Sequence, residues 1–201
     1  IPSCVRKGDR QLMSKSITLN SIYNFILKVF RLIVPVLVGP YIQRLFNAQL
    51  YGSFNDASTW VDLALVFGSF GIYTYAVREV SAVRDDREKV RRLYASLFTM
   101  GLVTNLAVAG LYTAVILFQA NSAARSIYLV LGFKVVANVF MVEWLNEAGE
   151  NYKFITIKTI IVRFSYLIGI FVLIKEPDDV LKYTMLVVVT DLVNNLISFV
   201  Y

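Results

Sequence analysis

Long apolar runs separated by short polar stretches make up most of the chain. Six of these runs reach the ~20 residues that a helix needs to cross a bilayer. The connections between them are too short for a soluble domain. The pattern therefore predicts an all-α integral membrane protein, with six transmembrane helices in residues 15–201 behind a basic segment at residues 1–14. The predicted spans are Ile17–Gln43, Ala57–Val77, Leu93–Phe118, Ser126–Leu145, Phe154–Ile174 and Val180–Tyr201.

Lysine and arginine are distributed unevenly about these spans. Twelve basic residues flank them on one side of the membrane and four on the other. Cytoplasmic loops of membrane proteins carry an excess of lysine and arginine, so we predict a cytoplasmic N-terminus. Residues 1–12 are interpreted as lying upstream of a natural start at Met13, and the alternative is a genuine basic tail. Without these residues, nine basic residues lie on one side of the membrane and four on the other, which gives the same orientation. The twelve are Arg6, Lys7, Arg10, Lys15, Arg78, Arg84, Arg87, Lys89, Arg91, Arg92, Lys153 and Lys158.

The composition agrees with a membrane protein and excludes some kinds of functional site. The chain is 57% hydrophobic with a mean hydropathy of +0.62, above the roughly 45–50% apolar content of soluble domains. Histidine is absent, which excludes histidine metal ligands and histidine general bases, and the single Cys4 cannot form an internal disulfide. We expect no metal and no cofactor. The net charge of +6 is interpreted as orienting the chain, so no nucleic-acid partner is expected.

Charged side chains inside the predicted spans are the main functional signal. Each charge near a helix centre costs roughly 2.5–3.5 kcal/mol on insertion scales. Residues three or four apart share a helix face, so Lys28 and Arg31 lie on one polar stripe with Asn20, Asn24 and Pro35. We single out four bases, Lys28, Arg31, Lys134 and Arg163, and two acids, Asp62 and Asp191.

Two readings of these charges are possible. Polar stripes on several helices predict a hydrated cavity, because such residues avoid lipid. Four bases against two acids leave a positive excess, which predicts an anionic substrate. In the alternative reading the charges neutralise one another, for example Arg31 or Lys28 with Asp62. Pro35 and Pro40 predict a kink in the first helix, either static or a bending point for alternating access.

Short motifs beside the spans carry a family resemblance. The stretches NSIYNFILKVFRLIVPVLVGPYIQRLFNAQLYGSFNDAS, FGIYTYAVREVSAVRDDREK and VEWLNEAGENYKFITIKTIIVRFSYLIGIFVLIKEPDDVLKY resemble the Wzx-type polysaccharide flippases of the MOP exporter superfamily. The similarity covers about residues 13–201. Two glycines common in that family are replaced by Ala76 and Ala148. The matching positions are Tyr51, Gly52, Tyr75, Arg78, Glu79, Trp144, Glu150, Lys153, Lys158, Asp178, Asp179 and Tyr183.

The resemblance implies a two-lobe transporter of which this chain is the N-terminal lobe. It implies a bacterial cytoplasmic membrane protein that moves an undecaprenyl-pyrophosphate-linked oligosaccharide from the inner to the outer leaflet. The second lobe would be supplied by the same protein or by a partner chain, and membrane lipid would surround both. The pyrophosphate of this substrate is an anion that could pair with the cations inside the spans. The predicted substrate-binding residues are therefore Lys28, Arg31, Lys134 and Arg163.

Two other classes remain open. A drug or ion antiporter of the MATE kind would need a negative cavity, whereas this excess is positive. A membrane-embedded polymerase or ligase needs acid–base groups at a membrane surface, where Asp178 and Asp179 lie, although both could cap the following helix. We therefore expect a transporter and not an enzyme. Asp62 and Asp191 are the candidates for coupling to protons or sodium.

Overall fold

The structure, a computed structural model, describes residues 7–119 and 124–201, with side chains for 18–118 and 124–201. These residues form eight α-helices and a single 3₁₀ turn, with no strand among them. The first six residues of the predicted basic segment lie outside the described residues, and the rest of that segment continues the first helix. The helices are α1 (Lys7–Leu45), α2 (Ala48–Ser69), α3 (Ile72–Ala82), α4 (Arg87–Gln119), α5 (Arg125–Ala137), α6 (Glu143–Ala148), α7 (Tyr152–Leu173) and α8 (Val180–Val200).

Six stretches of these helices are long and apolar enough to cross a membrane, which confirms the predicted number of spans. Large apolar side chains point outward on all of them; Leu32 is 71% exposed and Phe133 64%. A surface this apolar is stable in lipid, where the helical backbone satisfies its own hydrogen bonds. The six stretches are Thr18–Leu45, Ala48–Ala82, Arg87–Phe118, Arg125–Ala148, Tyr152–Leu173 and Val180–Val200.

The first helix, α1, buries only a narrow face. Leu27, Val34, Val38 and Ile42 are buried at spacings of seven and four residues, and this face packs mainly on α7. The helix continues through Pro35 and Pro40. Its remaining surface is left for lipid on one side and for the polar stripe on the other.

The second span is broken, although the sequence predicts one helix. α2 ends at Ser69, and the next two residues, Phe70 and Gly71, adopt left-handed backbone angles, with φ of 41° and 71°. The interruption frees the carbonyl of Gly68, which accepts hydrogen bonds from the side chains of Thr104 (2.8 Å) and Asn105 (3.3 Å) on α4. Backbone groups freed inside a membrane need such partners.

The fourth span is broken as well. α5 ends at Ala137, a 3₁₀ turn covers Asn138–Phe140, and α6 begins at Glu143. The Ala137 carbonyl accepts a hydrogen bond from Asn195 of α8 at 3.1 Å. Asn138 donates to Asn105 at 2.9 Å, so a pair of side-chain amides joins the two broken spans.

These breaks divide the apolar interior into two clusters of buried side chains. The larger one, which we call the main core, includes Ile42, Val61, Leu131 and Ile170 and lies among α1, α2, α4, α5, α7 and α8. The smaller one, which we call the second core, joins α3, α6 and the beginning of α4. Its members are Ala76, Val80, Leu97, Val142, Trp144 and Ala148.

Asp179 organises the connection between α7 and α8. Its carboxylate accepts the backbone N–H groups of Lys175 and Glu176, both at 3.0 Å, and the ammonium of Lys182 at 2.6 Å. The Lys182 hydrogen bond, followed by the two backbone bonds, lowers the pKa of Asp179 from 3.8 to about 2. A lowered folded-state pKa stabilises the fold above about pH 4, and this contribution is lost as the pH falls towards 2. These contacts give Asp179 a structural role in the connection between α7 and α8.

Candidate functional site

A polar cavity of about 480 Å³ opens between α1, α3, α6, α7 and α8. It lies on the polar stripe of α1, where Asn24, Lys28 and Arg31 follow one another along one face. The break in the fourth span supplies the opposite wall, because α6 turns its first residue, Glu143, towards α1. The described part of the chain thus contains a cavity with polar lining, as predicted, and two of the four predicted cations line it.

Arg31 is held by an acid that the sequence argument passed over. Its Nη2 donates to Glu143 Oε1 at 3.0 Å, and the other carboxylate oxygen accepts from Lys158 Nζ at 2.5 Å. Lys158 also donates to the hydroxyl of Ser198 (2.5 Å) and to the carbonyl of Asn194 (3.3 Å). We call Arg31, Glu143 and Lys158 the first triad.

The members of the first triad differ in their exposure. The Lys158 side chain is 2% exposed, that of Glu143 11% and that of Arg31 50%. The buried ammonium has three acceptors and is therefore fully paired. The Arg31 guanidinium has five N–H donors, of which one nitrogen contacts Glu143, and half of the side chain faces open space.

Lys28 is the least constrained cation of the site. It lies one turn before Arg31 on α1, lines the same cavity and is exposed. It makes no ion pair with any side chain that the structure describes. A ligand in the cavity can therefore reach its ammonium without displacing an acid.

The other two predicted cations meet elsewhere, on a shared carboxylate. Asp191 of α8 lies 3.1 Å from Lys134 Nζ and 3.9 Å from Arg163 Nη2. All three side chains are between 20% and 39% exposed. We call them the second triad. Like the first triad, it contains two cations and one acid.

Asp62 is not the partner of Arg31, so the suggested pairing of these two side chains is wrong. Asp62 lies on the exposed face of α2 and makes no ion pair with the described side chains. The reason is the packing, because α1 lies along α7 and only briefly touches α2. Glu143, from the break in the fourth span, takes the place expected for Asp62.

Two charged residues of the site were misjudged from the sequence. Glu143 lies within the predicted fourth span, although the predicted in-span acids are only Asp62 and Asp191. Lys158 is predicted to flank a span on the cytoplasmic side, yet it is buried within α7. Each could have been found as a single charge inside an apolar run, FMVEWL for Glu143 and FITIKTIIV for Lys158.

Uncharged polar groups complete the cavity. Tyr73 of α3 donates its hydroxyl to Glu147 of α6, and the amide side chains of Asn24, Asn194 and Asn195 also line the space. Amides and hydroxyls both donate and accept hydrogen bonds. Glu147 makes no ion pair with a described side chain, so it contributes charge without neutralising a particular cation.

The corrected charge balance remains positive. The cavity lining together with Lys158 provides three cations, Lys28, Arg31 and Lys158, against the two acids Glu143 and Glu147, an excess of one. An excess of cations in a membrane cavity favours an anionic ligand, and guanidinium groups match the geometry of phosphate oxygens. The arrangement can bind and release an anion together with hydrogen-bonding groups attached to it.

Comparisons with known proteins place the chain in a family. The family described as "Polysaccharide biosynthesis protein" matches residues 17–201. The chain is 20% identical over 166 residues to the "Putative O-antigen transporter" of Escherichia coli (strain K12). That match covers 82% of this chain and 40% of the relative, so the chain spans less than half of the relative's length. No solved structure matches the chain.

Proposed function

The chain belongs to the polysaccharide biosynthesis protein family, and from that membership we propose that it is one lobe of a flippase. The proposed substrate is an undecaprenyl-pyrophosphate-linked oligosaccharide, moved from the inner to the outer leaflet during the synthesis of a cell-surface polysaccharide. No bond of the substrate is made or broken in this process. The relative named as an O-antigen transporter supports the proposal at low identity.

The observation that carries the proposal is the half-exposed Arg31 in a membrane cavity beside Lys28, which has no ion pair among the described side chains. Both side chains reach the same space of about 480 Å³. Lipid would not hold two such cations, and the acids of the site are outnumbered. A pyrophosphate group between them would supply the missing negative charge.

We assign the first contacts of the pyrophosphate to Arg31 and Lys28. Lys134 and Arg163 of the second triad are proposed as further phosphate contacts along the path of the substrate, since Asp191 neutralises only one of the two. The amides around Arg31 are suited to the first sugar. For ion coupling we retain Asp62, which is exposed on α2, and Asp191, which lies between two cations.

The two-lobe organisation is part of the same proposal. Transporters of this kind bind their substrate between two bundles that rock about it. A second bundle, from the same protein or a partner chain, would close the exposed side of α1 over the cavity. Neither a MATE-like antiporter nor a membrane-embedded enzyme is favoured by a specific feature of the site, whose excess charge is positive.

Complementation of a flippase-deficient strain by the full-length protein tests the proposal. Arg31→Ala should reduce surface polysaccharide at least about tenfold, because a charge-assisted hydrogen bond to phosphate is lost. Arg31→Lys should retain part of the activity, since the charge survives without the planar fork. Arg44→Ala is the matched control, because Arg44 is an exposed residue of the same helix outside the cavity.

A double variant separates substrate binding from simple charge neutralisation. If Arg31 only neutralised Glu143, then adding Glu143→Gln to Arg31→Ala would restore transport. The proposal expects no rescue, because Glu143→Gln does not replace the hydrogen-bond donors that Arg31 offers to the phosphate. Wild-type transport by Arg31→Ala, at an equal amount of protein in the membrane, would contradict the proposed role of Arg31.

A further inference from the structure

Glu143 joins two cations that differ in access to the cavity. Lys158 is buried and has two further acceptors, Ser198 and the Asn194 carbonyl. Arg31 is half exposed. A ligand that enters the cavity can therefore reach Arg31, while Lys158 stays out of its reach.

The contact between Arg31 and Glu143 leaves room for exchange. It runs through Nη2 alone, at 3.0 Å, so the guanidinium is not held by both of its arms. Carboxylate and phosphate oxygens accept hydrogen bonds from the same guanidinium donors. A phosphate that approaches Arg31 therefore competes with the Glu143 carboxylate, both for donors and as a like charge.

Displacing Glu143 from Arg31 leaves no buried charge without a partner. The second oxygen of the carboxylate remains on Lys158 at 2.5 Å. Breaking a buried ion pair is strongly unfavourable when one charge is left alone, and the three-membered arrangement avoids that situation. The exchange therefore leaves both Glu143 and Lys158 with an ionic partner.

We infer that Glu143 is a built-in competitor of the substrate: its carboxylate neutralises Arg31 while the cavity is empty and is displaced from Arg31 by a phosphate group of the substrate. This inference rests on the proposed function. It gives Glu143 the role of a positioning residue that acts through Arg31. A transport site must bind its cargo weakly enough to release it, and a resident competitor lowers the affinity for that purpose.

The test is the binding of inorganic pyrophosphate to the purified full-length protein, measured by isothermal titration calorimetry. Glu143→Gln keeps the shape of the side chain and removes its charge, so the affinity should rise about tenfold. Glu147→Gln is the matched control. It removes the same charge from the same cavity wall, one turn along α6, but Glu147 contacts Tyr73 and makes no ion pair with a described side chain. Its effect should be several times smaller.

A second variant covers the case in which Glu143→Gln does not fold. Glu143→Asp retains the negative charge that Lys158 needs but shortens the side chain by one methylene, which weakens its reach to Arg31. The affinity should rise in the same direction by a smaller factor. A purely structural role for Glu143 would instead weaken binding in both variants, because Arg31 would lose its support.

The outcomes separate this inference from the proposal on which it rests. Tighter pyrophosphate binding by Glu143→Gln than by Glu147→Gln supports the inference. Unchanged or weaker binding by Glu143→Gln, in a protein whose wild type binds pyrophosphate, overturns the inference and leaves the proposed function standing. A wild-type protein that does not bind pyrophosphate contradicts the proposed function, and the inference with it.

Discussion

Single carboxylates shared between two cations are the recurrent feature of the site. Glu143 bridges Arg31 and Lys158, and Asp191 bridges Lys134 and Arg163. Each acid neutralises one cation and leaves one positive charge in the group. The sharing lowers the cost of holding cations in the membrane without removing the positive potential that an anion would meet.

The sequence was sufficient to predict cations in a cavity but not their partners. Lys28 and Arg31 could be placed on one face because the helical period is local. The partner of Arg31 could not, because Glu143 is 112 residues away and reaches Arg31 only through the break in the fourth span. Lys158 was assigned to a loop because it lies near the predicted start of a span, at Phe154.

Replacing the buried lysine tests whether the first triad also stabilises the fold. Lys158→Met should lower the free energy of unfolding by about 3 kcal/mol, because it leaves the mostly buried Glu143 carboxylate with Arg31 alone and removes three hydrogen bonds. Adding Glu143→Leu should recover most of that loss. The measurement is the thermal unfolding of the purified protein in detergent, with Lys28→Met as the control, since Lys28 is exposed and has no ion pair among the described side chains. Equal effects of Lys158→Met and Lys28→Met would argue against a structural triad.

Breaks in two spans create the site at the scale of helices. Both breaks lie in mainly apolar sequence, so the hydrophobic pattern predicts uninterrupted helices there. At the first break, the one residue of the left-handed pair that favours such backbone angles is Gly71, which follows Phe70. At the second break, Asn138 is the one residue of the 3₁₀ turn Asn138–Phe140 that could indicate an interruption. The number and approximate bounds of the spans were predictable because they depend only on length and hydropathy.

The helix segments beyond the breaks are joined to each other. Tyr73 bonds Glu147, and Ser81 donates to the carbonyl of Ala148 at 3.4 Å. Arg84 and Glu150 pair at 2.6 Å just after the two segments, and this contact raises the pKa of Arg84. Together with the second core, these bonds make α3 and α6 one packed unit that carries Glu143 to the cavity.

Close packing at the first break should make Gly68 intolerant of a side chain. A Cβ atom at Gly68 would lie 2.6 Å from Oδ1 of Asn105, the amide that joins the two broken spans. Gly68→Ala should therefore destabilise the protein by about 1–3 kcal/mol in thermal unfolding and reduce transport. Gly110→Ala, on α4 with nothing within 4 Å of its Cβ position, should be neutral or stabilising by up to ~1 kcal/mol. If Gly68→Ala proved as stable as Gly110→Ala, the amide junction would not depend on that close approach.

Across the whole chain, lipid-facing and cavity-facing surfaces are separated on the same helices. α1 presents Leu32 and Val36 outward, at 71% and 70% exposure, while Lys28 and Arg31 face the cavity. One bundle leaves these cations half exposed, which is the arrangement expected if a second bundle faces them across the substrate. This exposure supports the proposal that the chain is one lobe of a two-lobe transporter.

The orientation of the bundle is the last prediction, and it rests on the charge distribution of the entire chain. Moving Lys158 from a loop into α7 changes the ratio of flanking basic residues to eleven against four, so the cytoplasmic N-terminus is still expected. In a protein with Cys4 replaced by serine, cysteines at Glu88 and Asn151 should be shielded from an impermeant thiol reagent in intact cells. A cysteine at Asp178, an exposed residue of the α7–α8 connection, should be labelled, as should one at Asn121, which lies outside the described residues. Permeabilised cells are the control, because all four positions should then react, and labelling of Glu88 from outside intact cells would reverse the orientation and with it the proposed direction of transport.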